Sequence, residues 1–319
     1  MSLSGDKVMD EQSNAGSASA GLSRRSFSAF AVALAAAGLG GAKLVAAATG
    51  EESRLRFRRG YAQGPYGQVH YLDTGEGVPL VLLHQSPMSL WQFNAVYQPL
   101  ADRGIRAIGI DSPGFGLSDP VDGLPSMEKW ARNIAPVLDD LGIDKTNLLG
   151  NHTGSMLATE FAITHPERID KLILNGAMII SDEDRAERLA GLEARKDRDP
   201  YDPDGKHLGE GFQRRKKFYG PGADDAVITR YMVDRFFSSV PGWHGPYAAF
   251  SYDHNAAIMK ITVPTMVLAN SGDMIFEPTM RAVEMRPDFA SHVIEGGGVD
   301  ITDQKTEEWV EAVANFILS

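Results

Sequence analysis

Short apolar runs alternate with helix-forming segments along most of this chain, and that alternation limits its fold more than any other feature. Pro79-Leu-Val-Leu-Leu83 is apolar throughout, which suits a strand buried on both faces; a strand with one wet face would alternate apolar and polar residues. The same reading gives strands at Arg106 to Ile110, Thr146 to Leu149, Lys171 to Leu174, Thr265 to Ala269 and His292 to Ile294. Helices are expected over about Leu90 to Asp102 and Met127 to Leu141, with another starting near Thr153. Two further strands, Arg54 to Arg59 and Gln68 to Leu72, sit beside Gly-rich turns at the start. Parallel neighbours need a crossover, usually helical, so the pattern predicts an α/β fold with a mostly parallel central sheet flanked by helices.

Between Ser181 and Lys260 the pattern changes to charged helical segments, broken by Asp199-Pro-Tyr-Asp-Pro-Asp204 and Pro241-Gly242. That stretch is expected to be a helical cap inserted between two strands. Before the first strand, Ser23-Arg24-Arg25-Ser26-Phe27 precedes an Ala/Gly-rich apolar segment, and Ala46-Ala47-Ala48 offers small residues for signal peptidase. The segment is similar to a twin-arginine signal, and Lys43 interrupts it before the roughly 20 apolar residues of a spanning helix. The expected division is therefore a signal peptide at 1–48, a first part of the core at 49–180, the cap at 181–260 and a second part of the core at 261–319. A periplasmic or secreted protein follows, with no stable membrane insertion after cleavage.

With 319 residues and 43% hydrophobic content the chain can bury one large α/β core. Its formal net charge of -11 and lack of a basic stripe argue against a nucleic-acid partner. The run Arg214-Arg215-Lys216-Lys217 reads as a solvated helix face. The absence of cysteine excludes disulfides, thiolate metal sites and cysteine nucleophiles. A small-molecule substrate is the expected partner; oligomeric state is not legible.

Four landmarks in order then carry a family resemblance. They are Leu82-Leu83-His84, the turn Asp111-Ser-Pro113-Gly114-Phe-Gly116-Leu-Ser118, the element Gly150-Asn-His152-Thr-Gly154, and Asn270-Ser-Gly-Asp273 after a late strand. Together they resemble the α/β-hydrolase fold superfamily of the cap-domain type, over nearly the whole chain after the signal. The resemblance implies an α/β-hydrolase core with a helical cap insertion. It implies a strand-to-helix elbow at Gly150 to Gly154, an acid at Asp273, and an oxyanion hole made by Thr153 N–H and a donor from the loop at Gln85.

Departures from the family pattern define the chemistry to be explained. The elbow keeps both glycines but carries His152 where the nucleophilic serine is expected, and Val299 stands at the expected place of the triad histidine. The family's usual glycine after His84 is Gln85. Ser155, three residues past the elbow centre, should point away from it. A metal centre of His84, His152 and Asp273 has acceptable ligand types but no supporting spacing, so no metal or cofactor is expected.

His152 is left as base or nucleophile, with Asp273, or alternatively Asp300, fixing its tautomer. Ser86 joins Gln85, Thr153 and His84 as candidates around the oxyanion, and Trp243, His244 and Tyr247, on the cap's return segment, as candidate substrate contacts. Phe236 and Phe237 read as cap core; His165 reads as structural, and His70, His207, His254 and His292 as surface or strand residues. Three functions stay open: hydrolysis of an ester, lactone or C–C bond; a lyase, isomerase or cyclase using the same base; and a chemically silent small-ligand binder.

Overall fold

Strand residues sort to alternate faces of a pleated sheet, and both faces here are apolar. On β3 (Val78–Leu83), Leu80 and Leu82 enter one hydrophobic layer while Val81 and Leu83 enter the other. Such a strand is stable only when covered on both sides. The computed structural model describes residues 57–194, 196–197, 201–219 and 223–319, all within one compact unit, Arg54–Ser319. The expected signal segment lies outside the described residues.

β1 (Arg58–Gly64) and β2 (Gly67–Asp73) form an antiparallel hairpin, and β2 pairs antiparallel with β4 (Ile105–Ile110). From there β3, β4, β5 (Thr146–Asn151), β6 (Ile169–Asn175), β7 (Thr265–Asn270) and β8 (Ala290–Ile294) are parallel. The sheet order is β1-β2-β4-β3-β5-β6-β7-β8. Register aligns the carboxyl ends: Leu83 faces Gly150, Asn151 faces Asn175, and Asn175 faces Leu268. The loops leaving β3, β5, β6 and β7 therefore gather at one edge.

The helices are shorter than the sequence pattern suggests. Leu90 to Asp102 is a 3₁₀ turn at Leu90–Phe93 followed by α1 (Tyr97–Asp102). Met127 to Leu141 is α2 (Met127–Ala131) and α3 (Ile134–Asp140). Each break lies at the reach of a proline: Pro99 and Pro136 lack an N–H, and each ring would strike the carbonyl four residues back, at Ala95 and Arg132. β1 also sits later than expected, because it pairs residue for residue with β2 across the turn at Pro65-Tyr66.

α4 (Thr153–Thr164) follows β5 directly. Among the described residues, five helices lie between β6 and β7: α5 (Asp182–Glu193), α6 (Lys206–Tyr219), α7 (Asp225–Phe236), α8 (His244–Ser251) and α9 (His254–Ile258). After β7 come α10 (Phe276–Met285), and after β8 α11 (Ile301–Gln304) and α12 (Thr306–Leu318). Trp309 of α12 is fully buried and donates its indole N–H to Asn175 Oδ1 at 2.7 Å, tying the last helix to the end of β6.

The inserted helices are joined to the core by charge. Arg215 of α6 makes a two-pronged ion pair with Asp300, its Nε at 3.0 Å from Oδ2 and its Nη2 on Oδ1. Arg230 of α7 meets Asp303 at 2.5 Å. Asp234 of α7 accepts the N–H of Ser89 at 2.8 Å and its hydroxyl at 2.5 Å. Arg215 thus departs from the expected solvated face: it is 7% exposed, and the ring of Tyr231 lies 3.9 Å from its guanidinium. Tertiary pairing overrode the surface pattern of its neighbours.

Two other expectations reverse. Phe236 and Phe237 are 40% and 58% exposed and belong to an open apolar groove between α6 and α7, not to a cap core. His254 is buried against Thr159 Oγ1 at 3.0 Å, and burial pushes its ring down to about 4.

Candidate active site

A tight strand-to-helix turn needs two backbones in contact, and glycine is what permits it. A Cβ on Gly150 would overlap the carbonyl of Gly154, and one on Gly154 would overlap the carbonyl of Leu83. Between them His152 has φ 49° and is the one non-glycine residue with positive φ among the described residues. Holding a side chain there costs roughly 1–3 kcal/mol and persists only where surroundings over-determine it. They do: His152 N–H donates to Asn175 O at 2.8 Å, and Ser155 returns both its N–H at 2.8 Å and its hydroxyl at 2.6 Å to His152 O. Ser155 is therefore occupied with backbone, as its position in the helix implies.

From this elbow the imidazole crosses the end of β6. Its Nε2 lies 2.6 Å from Asp273 Oδ2 on the loop after β7. The other carboxylate oxygen accepts the N–H of Ile275 at 3.1 Å. Burial would raise the Asp273 carboxyl, but His152, with the hydrogen bonds from Ile275 and Asn270, outweighs it and holds the group below the usual carboxylate range. An anionic acceptor on Nε2 makes that nitrogen the N–H donor and leaves Nδ1 as the lone-pair nitrogen.

Asp300, the alternative partner, is engaged elsewhere. It takes Arg215 on both oxygens, and the Gln85 side-chain amide donates to it at 3.3 Å. Burial raises its carboxyl above the usual range despite Arg215. Val299 is buried beside it.

The loop after β3 differs from its sequence reading. Gln85 N–H donates to Gln92 Oε1 at 2.8 Å, so its backbone donor is not free for an oxyanion, while one of the two N–H donors of its side-chain amide is taken by Asp300. Among the described residues Ser86 N–H has no acceptor within hydrogen-bond distance, and its hydroxyl is likewise buried without a partner. Thr153 opens α4, where helix geometry leaves an N–H without an intrahelical acceptor. Ser86 and Thr153 are therefore the available backbone pair. His84 is structural: its Nδ1 lies 2.9 Å from Gln85 O, and its Nε2 accepts Ser112 N–H at 2.9 Å.

Above Ser86 sits α8. Gly245 lies so close that a Cβ there would overlap the Ser86 hydroxyl. Trp243, His244 and Tyr247 beside it are half-buried and form one aromatic group, with ring centroids 4.3 Å (Trp243 to His244) and 5.7 Å (Trp243 to Tyr247) apart. Burial holds the His244 ring below the ordinary imidazole range.

Two residues escape the sequence reading. Asn151, next to His152, is 1% exposed with both side-chain polar atoms unpartnered; the available signal was a polar residue ending an apolar strand. Gln92, which takes the Gln85 N–H, carries no local signal, because the pairing depends on how the loop folds back.

Comparisons with known proteins bear on the fold that carries this site. The family model described as α/β hydrolase fold matches residues 78–297. A 2-hydroxy-6-oxononadienedioate/2-hydroxy-6-oxononatrienedioate hydrolase of Burkholderia vietnamiensis is 43% identical over 114 residues, 34% of this chain and 40% of its own length. A 2-hydroxy-6-oxo-6-phenylhexa-2,4-dienoate hydrolase of Comamonas testosteroni is 38% identical over 116 residues, 34% of this chain and 39% of that protein. A 2-hydroxy-6-oxo-2,4-heptadienoate hydrolase of Pseudomonas putida is 30% identical over 180 residues, 56% of this chain and 61% of its own length. The match thus spans less than two thirds of each curated relative. Among solved structures, a thermophilic esterase from Thermogutta terrifontis is 24% identical with a TM-score of 0.65, covering 82% of this chain and 98% of that one. A bromoperoxidase from Bacillus anthracis is 18% identical with a TM-score of 0.67, covering 82% and 100%. At such identities the likeness shows the fold alone.

Proposed function

We propose, on the premise that this chain belongs to the α/β-hydrolase fold family, that it hydrolyses a small carbonyl compound, an ester, a lactone or a C–C bond beside an oxo group, without a serine nucleophile. The observation that carries the reading is the 2.6 Å contact between His152 Nε2 and Asp273 Oδ2. It fixes the ring with its N–H on the carboxylate and its Nδ1 lone pair uncommitted. The names of the relatives, hydrolases of 2-hydroxy-6-oxo dienoates, favour a substrate with an oxo group.

The free nitrogen decides between base and nucleophile. Nδ1 adjoins Cγ, the ring carbon joined through Cβ to the main chain, so an acyl group on it would crowd the elbow's own backbone. A water molecule needs only to approach it. His152 therefore acts as a general base: Nδ1 takes a proton from water, the hydroxide adds to the substrate carbonyl, and Asp273 stabilises the imidazolium. Ser86 and Thr153 N–H groups supply hydrogen bonds to the developing oxyanion. The imidazolium then returns its proton to the leaving group. Base help of this kind contributes roughly 10²- to 10⁴-fold, and one oxyanion donor roughly 10²- to 10³-fold.

The same base suits proton abstraction from carbon in a lyase, isomerase or cyclase, because Nδ1 needs no covalent intermediate. We propose this as the second reading. The helical insertion, expected at 181–260, is proposed to set substrate size through Trp243, His244 and Tyr247. Export through the Arg24-Arg25 signal, to the periplasm or outside, is likewise a proposal; the mass of the mature N-terminus tests it.

The deciding experiment is turnover in H₂¹⁸O of p-nitrophenyl esters, lactones and 2-hydroxy-6-oxo dienoates, beside His152→Ala and His152→Ser. Hydrolysis is expected in the wild type, with one ¹⁸O in the acid product and a loss of about 10²- to 10⁴-fold in both variants. Turnover without ¹⁸O moves the conclusion to the second reading. Undiminished turnover in His152→Ala refutes His152 as the base. A folded wild type that binds these compounds but turns none over supports a binding protein.

A further inference from the structure

The contact between His152 and Asp273 is not made by neighbours. β6 lies between β5 and β7 in the sheet, so a ring leaving the end of β5 must pass over whatever residue follows β6. That residue is Gly176, with φ +77°. A Cβ on it would stand 2.8 Å from His152 Cδ2, 3.2 Å from Nε2 and 3.2 Å from Ile275 Cδ1. The floor beneath the ring is also tied down by hydrogen bonds. Gly176 N–H donates to Leu268 O of β7 at 3.1 Å, its carbonyl accepts the Ser155 hydroxyl at 3.3 Å, and the preceding carbonyl, Asn175 O, holds the His152 N–H at 2.8 Å. The backbone and the elbow are held by these bonds, leaving the imidazole and the Ile275 side chain as the parts that yield to an added methyl.

We infer that Gly176 is a positioning residue: its missing side chain is the space through which the His152 ring reaches Asp273, so any side chain at 176 uncouples the pair and leaves the ring without a fixed tautomer. This deepens the proposed function and rests on it for catalysis, but the placement of the ring is testable without a substrate. An alanine at 176 carries two separable costs. One is backbone strain at positive φ, which any such glycine position has. The other is steric contact, with the imidazole and with Ile275 Cδ1, of which His152→Ala removes the first. Gly142, with φ +65° and nothing within 4 Å of a built Cβ, carries the first cost alone.

The experiment is a set of full-chain variants, Gly176→Ala, Gly142→Ala, His152→Ala, Asp273→Asn and Gly176→Ala/His152→Ala, followed by proton NMR of the ring N–H and by thermal melting. In the wild type one downfield imidazole N–H resonance, absent from His152→Ala and shifted in Asp273→Asn, reports the pair. That resonance should be lost or shifted in Gly176→Ala and unchanged in Gly142→Ala. Melting adds a second readout: in the His152→Ala background, Gly176→Ala should lower Tm less than it does in the wild type, because the contact with the ring is gone and only the backbone strain and the contact with Ile275 Cδ1 remain. That comparison holds even where Gly176→Ala alone folds poorly. With a turned-over substrate, Gly176→Ala and Asp273→Asn should each reduce kcat by about 10²- to 10⁴-fold and not multiply when combined, as for residues acting as a unit. An unshifted resonance in Gly176→Ala, or equal Tm losses with and without the His152 ring, overturns the inference. Undiminished turnover in His152→Ala, with the resonance behaving as expected, overturns the proposed function and leaves the positioning intact.

Discussion

Replacing Arg215 by methionine is expected to destabilise the protein strongly, and more at alkaline pH than at acid pH. Arg215 and Asp300 have side chains only 7% and 5% exposed, and the guanidinium spans both carboxylate oxygens. Methionine approximates the stem that packs on Tyr231 but leaves Asp300 with the single 3.3 Å hydrogen bond from Gln85. Removing one partner of a buried pair costs about 3–5 kcal/mol, since the other charge stays buried and uncompensated. For a unit of this size each kcal/mol shifts Tm by about 2–4 °C, so the loss is roughly 6–20 °C.

The pH dependence follows from burial, which already raises the Asp300 carboxyl above its ordinary value in the folded state. A raised folded pKa means that protonation favours the native form: its contribution is complete below the unfolded value and is lost as pH rises through the folded one. Without Arg215 the folded value rises further and the window widens upward. Denaturant midpoints at pH 5 and pH 8 should therefore show the larger deficit at pH 8. A loss below about 1 kcal/mol at pH 8, the range of exposed pairs, or a deficit that grows on acidification, would refute this account. Asp300→Leu combined with Arg215→Met should regain most of the loss, because no charge is then left buried.

Two further outcomes bear on the site. Asp273→Asn should reduce turnover by about 10²- to 10⁴-fold; because the wild-type carboxyl lies below its ordinary range, its stabilising contribution is complete above the unfolded value and falls away only as pH drops through the folded one. The difference in Tm between wild type and Asn variant should accordingly shrink as pH drops below the usual carboxylate range, and a difference that persists in full there would exclude the carboxylate charge as its source. Ser155→Ala should keep turnover within a few-fold, since the hydroxyl is spent on the carbonyls of His152 and Gly176; abolished turnover in a folded Ser155→Ala protein would make that serine the nucleophile and remove His152 from the role.

Much of the fold was legible because burial writes itself into local pattern. Apolar runs such as Leu80 to Leu83 mark strands covered on both faces, and Gly150 and Gly154 mark a turn where backbones touch. Helix breaks at Ala95 and Arg132 were also in the sequence, at Pro99 and Pro136, for a reader who counts back four residues. The site was legible in part. His152 and Asp273 stood out by position, and the structure brings them together, whereas the Gln85 N–H stood out as a donor and is taken by Gln92.

Sequence by itself determined the parallel sheet, the elbow and the identity of the residue at its tip, since each depends on side-chain chemistry within a few positions of chain. Tertiary structure alone decided which carboxylate serves the imidazole. Asp273 and Asp300 both follow late strands, but the ring's reach over Gly176 ends at one, and Arg215, arriving from an inserted helix, neutralises the other. Partners separated by 121 and 85 residues are chosen by strand order and helix docking, and no local pattern encodes a distance between them.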